Sequence, residues 1–118
     1  MKEVSKTINY KGRDYKIVFN LNVMEEIQEE YGSLNKWGDL TDGKGSENGE
    51  TDVKALLFGF RAMLNEGIDI DNEENGTNEP FLTTKKVGRI LSDIGIEKAN
   101  EDINSVVIES VKSDEKNA

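Results

Sequence analysis

Phe19-Asn20-Leu21-Asn22-Val23-Met24-Glu25-Glu26-Ile27-Gln28-Glu29-Glu30-Tyr31-Gly32 is the stretch whose reading settles the fold class. At about 100° per residue, Met24, Ile27 and Tyr31 project to one side of a helix, and Glu25, Glu26, Glu29 and Glu30 crowd the other. Gly32 ends that helix, because a residue without Cβ takes the left-handed conformation cheaply. Upstream the period is two: Val4, Lys6, Ile8 and Tyr10 share one side of a first strand, and Tyr15, Ile17 and Phe19 share one side of a second. Between them Lys11-Gly12-Arg13-Asp14 reads as a tight turn. The change of period near Leu21 predicts a hairpin over 4–19 feeding a helix over 21–31. An isolated hairpin is marginal in water, so its apolar face must rest on a helix.

Downstream, Ser33-Leu34-Asn35-Lys36-Trp37 reads as a short link, and residues 38–50, with four glycines, as a mobile loop. Thr51 is placed to cap the next helix, with Asp52 in its first turn. Val53, Leu56, Leu57, Phe60, Met63 and Leu64 form the broadest apolar stripe in the chain and predict a core helix over 53–65. Gly59 inside it costs about 0.5–1 kcal/mol relative to Ala, which close approach of another backbone would explain. Residues 65–80 carry six acids and no base, and predict an exposed, partly disordered connection. Thr83 or Thr84 caps a helix over 84–94, where Val87, Ile90, Leu91 and Ile94 recur at helical spacing before Gly95. Ala99, Ile103, Val106, Val107 and Ser110 fit a further helix over 97–111, although Val106-Val107-Ile108 has strand character. Residues 113–118 read as a disordered tail. The expectation is one α+β domain over 1–112, mainly α-helical with three to four helices and an N-terminal β-hairpin.

The composition narrows the chemistry. Of 118 residues, 35% are hydrophobic and 33% charged, so the core draws on a few patterned segments. There is no Cys, hence no disulfide or thiolate, and no His, the commonest general base and metal ligand. A net charge of −9 opposes binding to nucleic acid, where affinity comes largely from Lys and Arg displacing counterions. No apolar run approaches the roughly 20 residues needed to cross a bilayer, and Met1-Lys2-Glu3-Val4-Ser5-Lys6 lacks the apolar core of a signal peptide. The chain therefore reads as soluble, cytoplasmic and not an enzyme, with no cofactor.

Individual clusters support the same reading. Asp69-Ile70-Asp71-Asn72-Glu73-Glu74-Asn75-Gly76 invites calcium, but an EF-hand loop begun at Asp69 needs glycine where Glu74 stands and a bidentate acid where Pro80 stands. No metal site is expected. The pairs Glu25 with Glu29 and Glu26 with Glu30 share the solvent face of their helix, where nothing separates their pKa values for acid and base roles. Trp37 either plugs the edge of the core or serves an interface, since Trp is enriched among binding hot spots. Phe58 lies well off the main stripe, beside Lys54, Arg61 and Asn65, so another element covers it or it faces a second molecule.

The order of hairpin, then Phe19, Leu21, Met24, Ile27 and Tyr31-Gly32, then Trp37, a variable loop and the core helix over 53–64, resembles the tail assembly chaperones of long-tailed bacteriophages and prophages. The likeness covers residues 5–37 and 51–64. It implies a non-enzymatic protein of the bacterial host cytoplasm that coats the long helical tape measure protein, keeps it soluble, and leaves as tail tube protein polymerises around it. Such a protein is not expected in the mature virion. The resemblance implies apolar contacts to the tape measure protein, with Met24, Ile27, Tyr31, Trp37 and Phe58 the candidate partner-binding residues; a second copy of the chain is a further candidate partner. Two alternatives stay open: a structural phage protein, as a head-tail connector or minor tail component, and an acidic inhibitor that mimics DNA.

Overall fold

The computed structural model describes residues 1–45 and 47–116. Strands β1 (Val4–Tyr10) and β2 (Arg13–Phe19) form an antiparallel hairpin in the register Val4 to Phe19, Ile8 to Tyr15 and Tyr10 to Arg13. Only Lys11 and Gly12 make the turn, at φ 49° and 80°. Positive φ at both positions matches the right-handed twist of the strands. Arg13 and Asp14, expected in the turn, belong to β2, and Asn9 Nδ2 donates to Asp14 Oδ1 at 3.0 Å.

Among the described residues five helices follow: α1 (Leu21–Tyr31), α2 (Leu34–Asp42), α3 (Val53–Asn75), α4 (Thr84–Ile94) and α5 (Ile96–Lys116). The α+β, mainly helical class is as the sequence predicts. Asn20 caps α1 by accepting from the Asn22 and Val23 amides, and Gly32, at φ 90°, ends it. The hairpin rests on α3 through β2 and on α5 through β1, and one core joins Ile17 and Phe19 to Ile27, Leu56, Phe60, Met63, Ile90 and Ile103. The segment Val106-Val107-Ile108 is helical, with Val106 turned into the core.

Three expectations are corrected. The link and the start of the predicted 38–50 loop are helix α2: Ser33 Oγ accepts from the Lys36 amide at 3.1 Å, and Trp37 and Thr41 recur at one-turn spacing on the buried face. The rest of that loop, apart from Ser46, which lies outside the described residues, is closed by Gly45 donating to Asp39 O and Asp52 to Leu40 O. Second, α3 runs through Asn75 instead of stopping at 65. Extending a formed helix avoids the nucleation cost, half-buried Ile68 and Ile70 add apolar cover, and Asp71 reaches Lys16 of β2 at 3.4 Å. The acidic connection beyond it is fastened: Asn72 Oδ1 accepts from the Glu79 amide at 2.9 Å, Arg13 meets Glu79 at 2.9 Å, and Asn65 exchanges hydrogen bonds with both backbone groups of Leu82. Third, α5 continues through Lys116, so residues 113–116 of the predicted tail are helical; Asn117 and Ala118 lie outside the described residues.

Smaller corrections concern α3. Its cap is Asp52, whose Oδ1 accepts from the Ala55 amide at 3.1 Å, and not Thr51. At Gly59 the close neighbour is a side chain: a Cβ there would stand 2.2 Å from Cζ2 of Trp37. Close approach of another backbone occurs one helical stretch later, at Gly67, where a Cβ would lie 2.7 Å from the carbonyl oxygen of Lys16.

Candidate functional site

Two of the five residues expected to bind a partner are spent inside the molecule. Ile27 is fully buried, and Trp37 is 2% exposed, with its indole N–H donating to Ala55 O at 2.9 Å and its ring lying over Gly59. Trp37 is thus the wedge between α2 and α3, and neither residue offers a contact surface. Met24, Tyr31 and Phe58 are half-buried at the margin of the core. Tyr31 and Phe58 meet edge to face with ring centroids 5.4 Å apart, so Phe58 is covered on one side by the end of α1. Burial, then the nearby Asp52 and Glu30 carboxylates, push the Tyr31 phenol up from its ordinary value.

The other side of Phe58 opens into a groove between α3 and α4. It consists of two cavities of ≈ 400 and ≈ 430 Å³ that share Val53 and Leu57 as their common wall. Phe58, Lys54, Arg61 and Thr84 complete the first, where Arg61 donates to Thr84 Oγ1 at 3.2 Å. Leu91, Gly88, Gly95 and Ile96 are the principal residues around the second. Val53 and Ile96 are 50% and 47% exposed, two of the five large hydrophobic side chains that face solvent among the described residues. Leu57, expected in the core stripe, is only half-buried and forms the floor of this groove.

Sequence reasoning found Phe58 and its basic neighbours from the helical wheel, but it missed Ile96 and Gly88. Gly88 sits in the interior of α4, where glycine costs about 1 kcal/mol relative to Ala. A Cβ there would meet only Leu57 Cδ2, at 3.9 Å, which is ordinary contact. The interior glycine in α4 was a visible signal; that nothing in the fold requires it was not.

A second cleft, of ≈ 530 Å³, lies between α2 and α5, with Leu34, Val107, Ile108 and Val111 on its walls. Its charged border is mixed, with Asp39 and Asp42 facing Lys112. Elsewhere Glu26, Glu66 and Asp69 gather near Asn22 and Phe81, and Glu66 accepts from the side-chain amides of Asn20 and Asn22 at 2.6 and 2.9 Å. Desolvation, then the Glu66 charge, push the Glu26 carboxyl above its ordinary range. Among the described residues no three acidic side chains converge as a metal cage, and no helix is long and apolar enough to cross a membrane.

Comparison of the chain with protein-family models, with curated proteins and with solved structures gives no match in any of the three.

Proposed function

We propose that this chain is a non-enzymatic assembly chaperone that covers apolar helical surface on the tape measure protein while a long phage tail is built. The observation that carries the reading is the groove between α3 and α4, where exposed Val53 and Ile96 flank half-buried Leu57 and Phe58 on a chain of net charge −9. Such a groove suits the apolar stripe of a partner helix, and the remaining acidic surface keeps the complex dispersed. The order of hairpin, acidic-backed helix, buried Trp and core helix supports the choice of partner by its resemblance to tail assembly chaperones. In this reading the protein acts in the host cytoplasm and leaves as tail tube protein polymerises.

The DNA-mimic alternative needs rows of uncompensated carboxylates. Asp71 and Glu79 are engaged by Lys16 and Arg13 and Asp102 is buried between Lys6 and Lys98, so none of these joins such a row, whereas the exposed Glu25, Glu29 and Glu30 of α1 do. Co-expression with the tape measure protein of the same genome tests the chaperone reading: the soluble fraction of that protein should rise several-fold, and purified tails should lack this chain. Unchanged solubility rejects the chaperone role, and stoichiometric presence in tails favours a connector or minor tail component.

A further inference from the structure

We propose that the groove between α3 and α4 receives an amphipathic helix of another protein whose apolar stripe is bordered by acidic side chains, with its closest approach over Gly88. This deepens, and rests on, the reading of the chain as a binding module. The first argument is charge. Among the described residues, the charged side chains that line the two adjoining cavities are Lys54 and Arg61, both basic and both on the first, although the chain holds 24 acids against 15 bases. A partner with basic flanks would be repelled at this groove, whereas an acidic border would be steered in and held; the apolar cleft between α2 and α5 has a mixed border and makes no such choice.

The second argument is Gly88. Of the helix-interior glycines, Gly59 of α3 is explained by the Trp37 ring and Gly67 by the Lys16 carbonyl, whereas Gly38 of α2, which lines the mixed-charge cleft, and Gly88 of α4 both have room for a side chain. At Gly88 the fold leaves room for a side chain, yet the residue keeps the α4 wall flat where it faces the groove. A missing side chain that the fold does not need is one a partner's backbone can use. A second copy of this chain fits poorly as occupant. Its most acidic helix, α1, turns Val23 and Ile27 into its own core, and Leu21 is the only large hydrophobic it exposes.

The test uses the full chain and three labelled synthetic helical peptides of about 18 residues, long enough for five turns. All carry the same leucine stripe, flanked by Glu, by Gln or by Lys. Fluorescence anisotropy should rank them Glu over Gln over Lys, with about tenfold or more between the extremes at low salt and a narrowing gap as salt rises. The double variant Lys54→Glu with Arg61→Glu should reverse the order while leaving the circular dichroism spectrum unchanged. Gly88→Leu, which fills the groove, should weaken all three at least about tenfold; should that variant fail to fold, the charge reversal decides alone. Equal affinities, a preference for Lys flanks, or no binding of any peptide overturns the proposal. So does sedimentation showing a dimer of the native chain that Gly88→Leu dissolves. If the peptide order holds but co-expression leaves the tape measure protein insoluble, the groove stands and the tape measure assignment falls.

Discussion

Asp102 is the residue on which the attachment of α5 to the hairpin depends. Its carboxylate is buried, and Lys6 Nζ of β1 and Lys98 Nζ one turn back reach the same oxygen at 2.8 and 2.9 Å. Burial alone would push the carboxyl up, but the hydrogen bonds from Lys6 and Lys98 outweigh it and hold it below the ordinary range. A depressed native pKa contributes stability that is complete above the unfolded value of about 3.9 and is lost as pH falls through the native one. Asp102→Asn should therefore cost about 1–3 kcal/mol at pH 7, since both lysines can turn back to water and only the carboxylate's bonds are lost. In urea melts that cost should shrink below pH 4; a constant difference down to pH 2 would mean the ion pairs are not its source. Glu26 has the opposite sign. Its raised pKa means the charged form is disfavoured in the native state, so Glu26→Gln should raise the melting temperature at pH 7 and lose that advantage as the wild-type acid protonates.

At the scale of elements, α3 carries the fold and shows which parts of it were legible. Leu56 and Leu57 are neighbours in one apolar stripe, yet Leu56 is 1% exposed and Leu57 floors the groove. Leu56→Ala should cost about 2–5 kcal/mol through lost transfer energy and a cavity, and Leu57→Ala only about 1–2 kcal/mol, because part of its surface is already in water and the groove can fill the space left. Equal losses in denaturant melts would place Leu57 in the core and close the groove. Gly59→Ala gains helix propensity but drives a methyl into the Trp37 ring, so it should destabilise by about 1–3 kcal/mol. It should also shift the emission of the single tryptophan to longer wavelength. The hairpin, α1 and α4 were readable because their periodicity and caps lie within a few residues of one another. Helix α2 was hidden by glycines that suggested a loop, although Ser33 and the spacing of Trp37 and Thr41 were there to be weighed. The extension of α3 was hidden for a different reason: its Asp71 finds Lys16 in the hairpin, and Glu79 just beyond it finds Arg13, both more than fifty residues away in sequence. The same holds for the site. Phe58, Lys54 and Arg61 could be placed together on one helix, whereas Gly88 of α4 and Ile96, the first residue of α5, join them only through tertiary packing.

For the whole molecule, the balance is between apolar side chains left on the surface, Leu21, Phe81 and Ile108 among them, and a net charge that keeps molecules apart. At pH 7 the net charge is −9, and it vanishes near the pI of 4.5. Approaching that pH removes the repulsion between molecules, while the Asp102 contribution persists until the pH falls to about 4 and below. Glu26, with its raised pKa, protonates early and favours the native state as it does so. The two processes should therefore separate. Light scattering should rise steeply as pH falls from about 6 toward 4.5, with the far-ultraviolet helical signal intact, and salt should promote the same association at pH 7 by screening. If helical signal is lost before scattering begins, association follows unfolding, and the surface charge of the native state is not what keeps this protein dispersed.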